Sequence, residues 1–157
     1  MEDVRLSPSF TLGRLTASYT ATRLGIDNTP PAAVVEHLRT TAQYLEQIQT
    51  ATGAELHLND VYRCPALNVA VHGSPTSSHL EGYAADFTCP AYGPPGAVIQ
   101  CIVTAGIPYD QLIFEGSWVH AGFDPRMRAE LETAQWVNGR PTYTSGVAGV
   151  VVPTRIG

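Results

Sequence analysis

The chain has 157 residues and a mass of 16.8 kDa, the size of one domain, and its 44% apolar and 15% charged residues suit a packed core and exclude a disordered tail. Formal net charge is −5, and the nine basic residues are all arginines scattered along the chain. With no basic cluster, a nucleic-acid surface and electrostatic capture by an anionic membrane are both excluded as partners. The cysteines Cys64, Cys89 and Cys101 are odd in number and lack a Cys-x-x-Cys pair. They read as small buried apolar residues, not as a disulfide framework or a thiolate zinc finger.

The opening Met1-Glu2-Asp3-Val4-Arg5 carries acids where a secretory signal has a basic region. The apolar runs at 97–103 and 147–152 are too short to span a bilayer. The expectation is a protein made in the cytoplasm without a signal peptide. Residues 6–20 read as a loop with a short helical turn around Phe10–Leu15. Asp27-Asn28-Thr29-Pro30-Pro31 reads as a helix start, with Thr29 as N-cap and proline in the first turn. Val34, Leu38, Ala42, Leu45 and Ile48 recur at helical spacing and carry that helix to Thr50.

Leu56–Tyr62 alternates as a strand, Pro65–Val71 suits a short helix, and His72–Ser78 has the chemistry of a loop. Gly82–Thr88 predicts a strand with Tyr83, Ala85 and Phe87 on one face and Ala84, Asp86 and Thr88 on the other. A second helix opens at Pro94-Pro95 and runs to about Ala105. Gln111–Glu115 and Trp118–Phe123 are short strands joined as a hairpin by Gly116-Ser117. Beyond residue 123, Pro125–Gln135 predicts a short polar helix, and Asn138-Gly139 a hairpin turn between Trp136 and Tyr143. Residues 1–123 read as one domain and 124–157 as an extension belonging to it. The element order predicts an α+β fold, a small and mostly antiparallel sheet with helices packed on it.

Three polar residues stand out of place. Asp86 lies inside the apolar run Tyr83-Ala84-Ala85-Asp86-Phe87, where a carboxylate is costly unless paired or bound to a metal. His79 stands in the preceding loop, and His120 lies on a strand between Trp118 and Phe123. Two imidazoles and one carboxylate, with a fourth position open, are the ligand set of a catalytic zinc site. Spacing alone is not distinctive, because five histidines offer several such triples. His37, on the long helix, and His57, on the first strand, read as structural.

Ser77-Ser78-His79-Leu80-Glu81-Gly82-Tyr83-Ala84-Ala85-Asp86 fills every fixed position of the pattern Ser-x-His-x-x-Gly-x-Ala-x-Asp. On these residues the chain resembles the zinc D-alanyl-D-alanine carboxypeptidase family, which also holds murein endopeptidases and phage endolysins. Tyr62-Arg63-Cys64-Pro65-Ala66-Leu67-Asn68 resembles that family's Tyr-Arg-x-Pro-x-x-Asn segment. Asp110–Glu115 followed by Trp118-Val119-His120 resembles the distal motif of its phage and prophage branch, and Asp27–Pro31 is typical of that branch. The resemblance runs over about residues 7–123.

The resemblance implies one Zn2+ per chain, held in a surface cleft by His79, Asp86 and His120. It implies Arg63 as the partner of a substrate carboxylate, a task suited to the rigid guanidinium fork. Ser77 is implied near the metal or substrate, with a turn residue as its plain reading. Trp118 is implied along the cleft, with core packing as its plain reading, and Tyr83 carries the same two readings. Gly82 is expected to allow a close backbone approach or an unusual φ.

The general base departs from the pattern. Family members place an acid three residues before the second histidine and a tryptophan directly before it, whereas here Ser117 holds the acid position and Trp118 stands two residues before His120. Glu115 is the nearest carboxylate, fits the phage branch and is assigned as base, with His72 and Asp110 in reserve. Val61 stands where relatives commonly carry glycine, which implies a differently shaped cleft.

The implied activity is hydrolysis of a peptide bond in the stem or cross-link of peptidoglycan. A carboxypeptidase would trim a terminal D-alanine, and an endopeptidase would cut within the stem or across the cross-link. The branch motifs favour a phage lytic or virion-associated endopeptidase, which reaches the wall after holin release or from a virion. The alternative is a catalytically impaired wall-binding or phage structural module on the same fold. The intact triad speaks against that alternative and the displaced base for it.

Overall fold

The apolar stripe Leu38, Ala42, Leu45 and Ile48 lies fully buried along one face of a helix spanning Ala32–Thr52. It belongs to a computed structural model that describes residues 2–154. Met1, and residues 155–157 of the expected C-terminal extension, lie outside the described residues. In chain order the described elements are α1 (Leu12–Thr16), α2 (Tyr19–Leu24), α3 (Ala32–Thr52), β1 (His57–Asp60), α4 (Pro65–Ala70), β2 (Ala84–Thr88), α5 (Pro95–Thr104), β3 (Gln111–Phe114), β4 (Val119–Gly122), β5 (Glu130–Val137) and β6 (Arg140–Ser145). The fold is α+β, as expected.

Two N-terminal expectations need correction. Helix α2 occupies a stretch with no helical expectation, capped by the Ser18 hydroxyl, which accepts from the Ala21 N–H, and ended by left-handed Gly25. Thr29 is not the N-cap of α3. Pro31 takes that place without a side-chain cap, while Thr29 donates its N–H and hydroxyl to Asp27 Oδ1 at 3.0 and 2.6 Å. Two prolines with fixed φ set the chain direction into the helix, so no hydroxyl is needed to turn it.

The six strands form one sheet in the order β1-β2-β4-β3-β5-β6. Every neighbouring pair is antiparallel except β3 and β5. Phe87, Leu112, Val119 and Ala121 turn one face of the sheet into a common core with Leu38, Leu45 and Ile48 of α3 and Ile99 and Ile102 of α5. Gly82, at φ +76°, brings the chain into β2 hard against α3, where a Cβ would meet Val34 Cγ1 at 3.0 Å. Thr41 of α3 donates to Gly82 O at 2.6 Å across the same contact.

The helix expected over Pro125–Gln135 is absent; a turn leads into β5 instead. Met127 and Ala129 sit at positive φ, 42° and 56°, which no α-helix admits. Between them the Arg128 N–H donates to Asp110 Oδ1, and just after them the Glu130 N–H donates to Asp110 O, both at 2.9 Å. The chain then lies parallel to β3 and turns at Asn138-Gly139, both at positive φ, into the edge strand β6.

Cys64 and Cys89 are buried as expected, whereas Cys101 is only partly buried. Cys64 Sγ accepts the Leu67 N–H at 3.4 Å and so caps α4. Among the described residues no helix is long and apolar enough to cross a membrane.

Candidate metal centre

Strand alternation decides where the metal-ligating residues point. Ala85 and Phe87 go into the core, so Asp86 between them faces the open side of the sheet. In the antiparallel ladder Asp86 lies directly opposite His120 of β4, and the Asp86 Oδ1 to His120 Nδ1 distance is 2.9 Å. His79 enters from the turn before β2 and is 2% exposed. Its Nδ1 lies 2.6 Å from Val61 O, which requires the proton there and leaves the Nε2 lone pair aimed at Asp86 Oδ1, 3.3 Å away. The two imidazoles stand edge to face with centroids 5.1 Å apart.

One ligand atom from each of His79, Asp86 and His120 lies within 4.8 Å of the others. This set fits zinc. Two nitrogens and one oxygen converge, a fourth position is left open, and the remaining nitrogen of His79 is anchored on a carbonyl, as the second nitrogen of a metal-ligating imidazole usually is. The electrostatics agree. Burial opposes the charge on Asp86, yet the flanking imidazoles hold its carboxyl far below the ordinary range. Burial likewise opposes charge on His79, but Asp86 and Asp60 raise it above its ordinary value. A buried carboxylate of this kind requires a cation or shared protons beside it.

Around the triad, Arg63 donates from one terminal nitrogen to Asp60 Oδ2 at 2.9 Å and from the other to Ser77 Oγ at 3.0 Å. Ser77 Oγ also accepts the His79 N–H at 3.3 Å, tying Arg63 to the triad loop. Arg63 is therefore a fixed cation on the cleft wall and not a free fork, and its Nε is buried without a partner. Asp60 ends β1 three residues before Arg63, with a carboxyl that burial raises. Nothing in its short strand marks it beforehand, beyond its spacing from Arg63.

Glu115 lies at the turn between β3 and β4, where its N–H donates to Trp118 O at 3.1 Å and Gly116 takes φ +84°. That tight turn keeps Glu115 on the cleft, in company with His79, Asp86 and His120. Burial raises its carboxyl, and the charges of His120, Asp86 and His79 reach it. Trp118 lines the cleft with its indole nitrogen buried and unpartnered. His72, at φ 58°, also lines it. Asp110 is corrected as a reserve base: it is buried and held in a two-pronged pair by Arg128, Nε to Oδ1 at 2.9 Å and a terminal nitrogen to Oδ2 at 2.8 Å. Tyr83 stacks on His37 at 4.2 Å, and the His37 Nδ1 sits 2.7 Å from Glu81 O, a structural pairing for both rings.

The cleft holds about 570 Å³. Its near wall is the triad with Arg63, Ser77 and Trp118, and its far wall includes Arg126, Trp136, Pro141 and Tyr143. Trp136, Pro141 and Tyr143 lie in the hairpin expected around Asn138-Gly139, which the structure bears out. They carry no motif, and only the pairing of β5 with β3 brings them, with Arg126, to the cleft. A family model described as Peptidase M15 matches residues 8–123. Comparison with curated proteins found no match.

Proposed function

The chain belongs to the peptidase M15 family of zinc-dependent metallopeptidases, and on that premise we propose that it hydrolyses a peptide bond in the stem or cross-link of peptidoglycan. The observation that carries this reading is the convergence of His79, Asp86 and His120 in a cleft that Glu115 also lines. Zinc bound by the three residues supplies Lewis acidity, polarising a carbonyl and lowering the pKa of water to about 7.

The chain's own groups do the rest. Val61 O fixes the tautomer of His79. Glu115 takes a proton from the attacking water and returns one to the leaving amine nitrogen. A carboxyl raised by burial suits both halves of that exchange. Arg63, held by Asp60 and Ser77, offers a fixed positive charge to a substrate carboxylate. Trp118 packs along the substrate chain.

An endopeptidase suits the cleft better than a carboxypeptidase. Asp60 and Ser77 each take one N–H from the terminal nitrogens of Arg63. The guanidinium thus meets a substrate carboxylate as a held charge with its remaining N–H groups, which serves a carboxylate within the peptide as well as a terminal one. A cleft of about 570 Å³ that extends from the triad to Trp136, Pro141 and Tyr143 supports a substrate longer than a dipeptide. The branch motifs at Asp27–Pro31 and Asp110–His120 support a phage lytic or virion-associated role, with release by a holin or carriage in a virion. Glu115 in the cleft supports an active enzyme over an impaired wall-binding module.

The test is digestion of purified peptidoglycan by zinc-loaded protein against a chelated control, read by mass spectrometry. Separated stems or cross-links mean an endopeptidase, loss of a single alanine means a carboxypeptidase, and no zinc-dependent product from several wall types removes the enzyme reading.

A further inference from the structure

The register of the sheet sets unlike residues level with one another across the open face. Asp86 pairs with His120, His120 with Ile113, and Ile113 with Glu132, so β5 continues the face that carries the metal ligands. One step on, beyond the last parallel pair of Phe114 with Thr133, Glu115 stands level with Ala134, and Ala134 pairs with Tyr143 of β6. The row therefore runs from carboxylate to methyl to phenol. Neighbouring strands are about 4.8 Å apart, so Tyr143 starts about 10 Å from Glu115 with only a methyl group between them.

Ala134 is 8% exposed although its partners on the row face the cleft, as expected if a large side chain lies across it. Tyr143 lines the cleft together with His79, Asp86, Glu115 and His120. Burial raises its phenol, and the carboxylates of Glu115, Glu132 and Asp86 add to the effect. Tyr143 is 49% exposed, and its hydroxyl, which at the ordinary phenol value is already protonated at neutral pH, is a donor there.

We propose that Tyr143 is a further catalytic residue, whose hydroxyl donates a hydrogen bond to the scissile carbonyl oxygen as negative charge builds there. The proposal rests on the peptidase reading and adds to it a group outside the family-matched residues 8–123. The donor comes from the β5–β6 hairpin, which makes that hairpin part of the active site. A donor placed at developing negative charge is worth about 10²–10³ in kcat where it has been removed from other enzymes. A single phenol sharing the task with a metal should lie at or below the lower end of that range.

The experiment compares Tyr143→Phe with the unaltered protein in two arms. In the first, wall-peptide turnover should fall 10- to 100-fold in kcat with KM changed less than twofold and bound zinc unchanged. In the second, calorimetry follows a phosphinate isostere of a dialanine peptide, whose tetrahedral anion mimics the charged oxygen. Its Kd should weaken by the same factor. An unchanged phosphinate Kd, or a loss confined to KM, overturns the role of Tyr143. If the unaltered protein binds phosphinate but cuts no wall peptide, the wall-peptidase reading fails, and the phosphinate arm still decides Tyr143. If it neither cuts nor binds, both fall.

Discussion

Asp86 and His120 are direct cross-strand partners on β2 and β4, and their side chains meet at 2.9 Å on the open face of the sheet. The metal-ligand geometry is thus a consequence of strand register. A slip of one residue in β2 would send Asp86 into the core occupied by Phe87, and a slip in β4 would send His120 into the core occupied by Val119 and Ala121. His79, the third donor, does not depend on that ladder; it depends on the turn before β2 and on Val61 O.

Loss of a ligand should therefore cost metal before it costs fold. His120→Ala leaves Asp86 with one imidazole on an intact ladder. Zinc affinity should fall by more than the ~10–100-fold typical of losing an outer partner. Competition with a chromophoric chelator measures it. Affinity within threefold of the unaltered protein would remove His120 from the ligand set.

Glu115→Gln separates binding from chemistry. The amide keeps the size of the side chain and the backbone bond to Trp118 O, so zinc content should not change. Turnover should drop about 10²–10⁴-fold, the usual worth of a positioned base. Retained turnover would pass the role to His72, which lines the same cleft.

The strands that hold the triad were legible because their signals are local, whereas the triad itself was singled out by the family resemblance of Ser77–Asp86, since five histidines left several triples open. Asp86 sits one step out of phase with Ala85 and Phe87, and the apolar stripe of α3 from Val34 to Ile48 repeats over about four turns. The hairpin turn of the far wall was legible at Asn138-Gly139, but the strand that joins it to the cleft was not, for a non-local reason. Arg128-Ala129-Glu130-Leu131-Glu132-Thr133-Ala134-Gln135 is rich in good helix formers, and their local preference points to a helix. What overrides it is Asp110, eighteen residues back, which captures the Arg128 N–H and side chain and starts the pairing with β3. Asp60 was hidden for a similar reason, because its role exists only once Arg63 folds back onto it.

Arg63→Lys tests whether the fixed guanidinium serves the substrate. One ammonium cannot hold Asp60 and Ser77 in the same planar fork. The KM for a wall peptide with a free carboxylate near the scissile bond should rise about tenfold, a loss of ~1.4 kcal/mol. The amidated peptide should be affected much less. Equal losses for both peptides would make Arg63 a brace for the Ser77–His79 loop and nothing more.

The pair of Asp110 and Arg128 ties the start of β3 to the turn that launches β5, and with it the far wall of the cleft. The Arg128 bonds hold the Asp110 carboxyl below its ordinary value of 3.8. A carboxyl whose pKa is lower in the folded than in the unfolded chain stabilises the fold fully above the unfolded value, and that contribution fades as pH falls from there towards the folded value. The anchor should thus hold at neutral pH and weaken below about pH 4, close to the ordinary value. Asp110→Asn should remove about 2 kcal/mol at pH 7, since Arg128 stays partly exposed to water, or about 4–8 °C in Tm at this chain length. Below pH 4 the two proteins should converge, with amides of β5 and β6 exchanging faster in the unaltered protein than at pH 7 after correction for intrinsic rates. Melting curves that stay parallel down to pH 2 would mean that the acid sensitivity lies elsewhere. Convergence would show that the charge on Asp110 contributes to holding the wall that carries Tyr143, beside the pairing of β5 with β3.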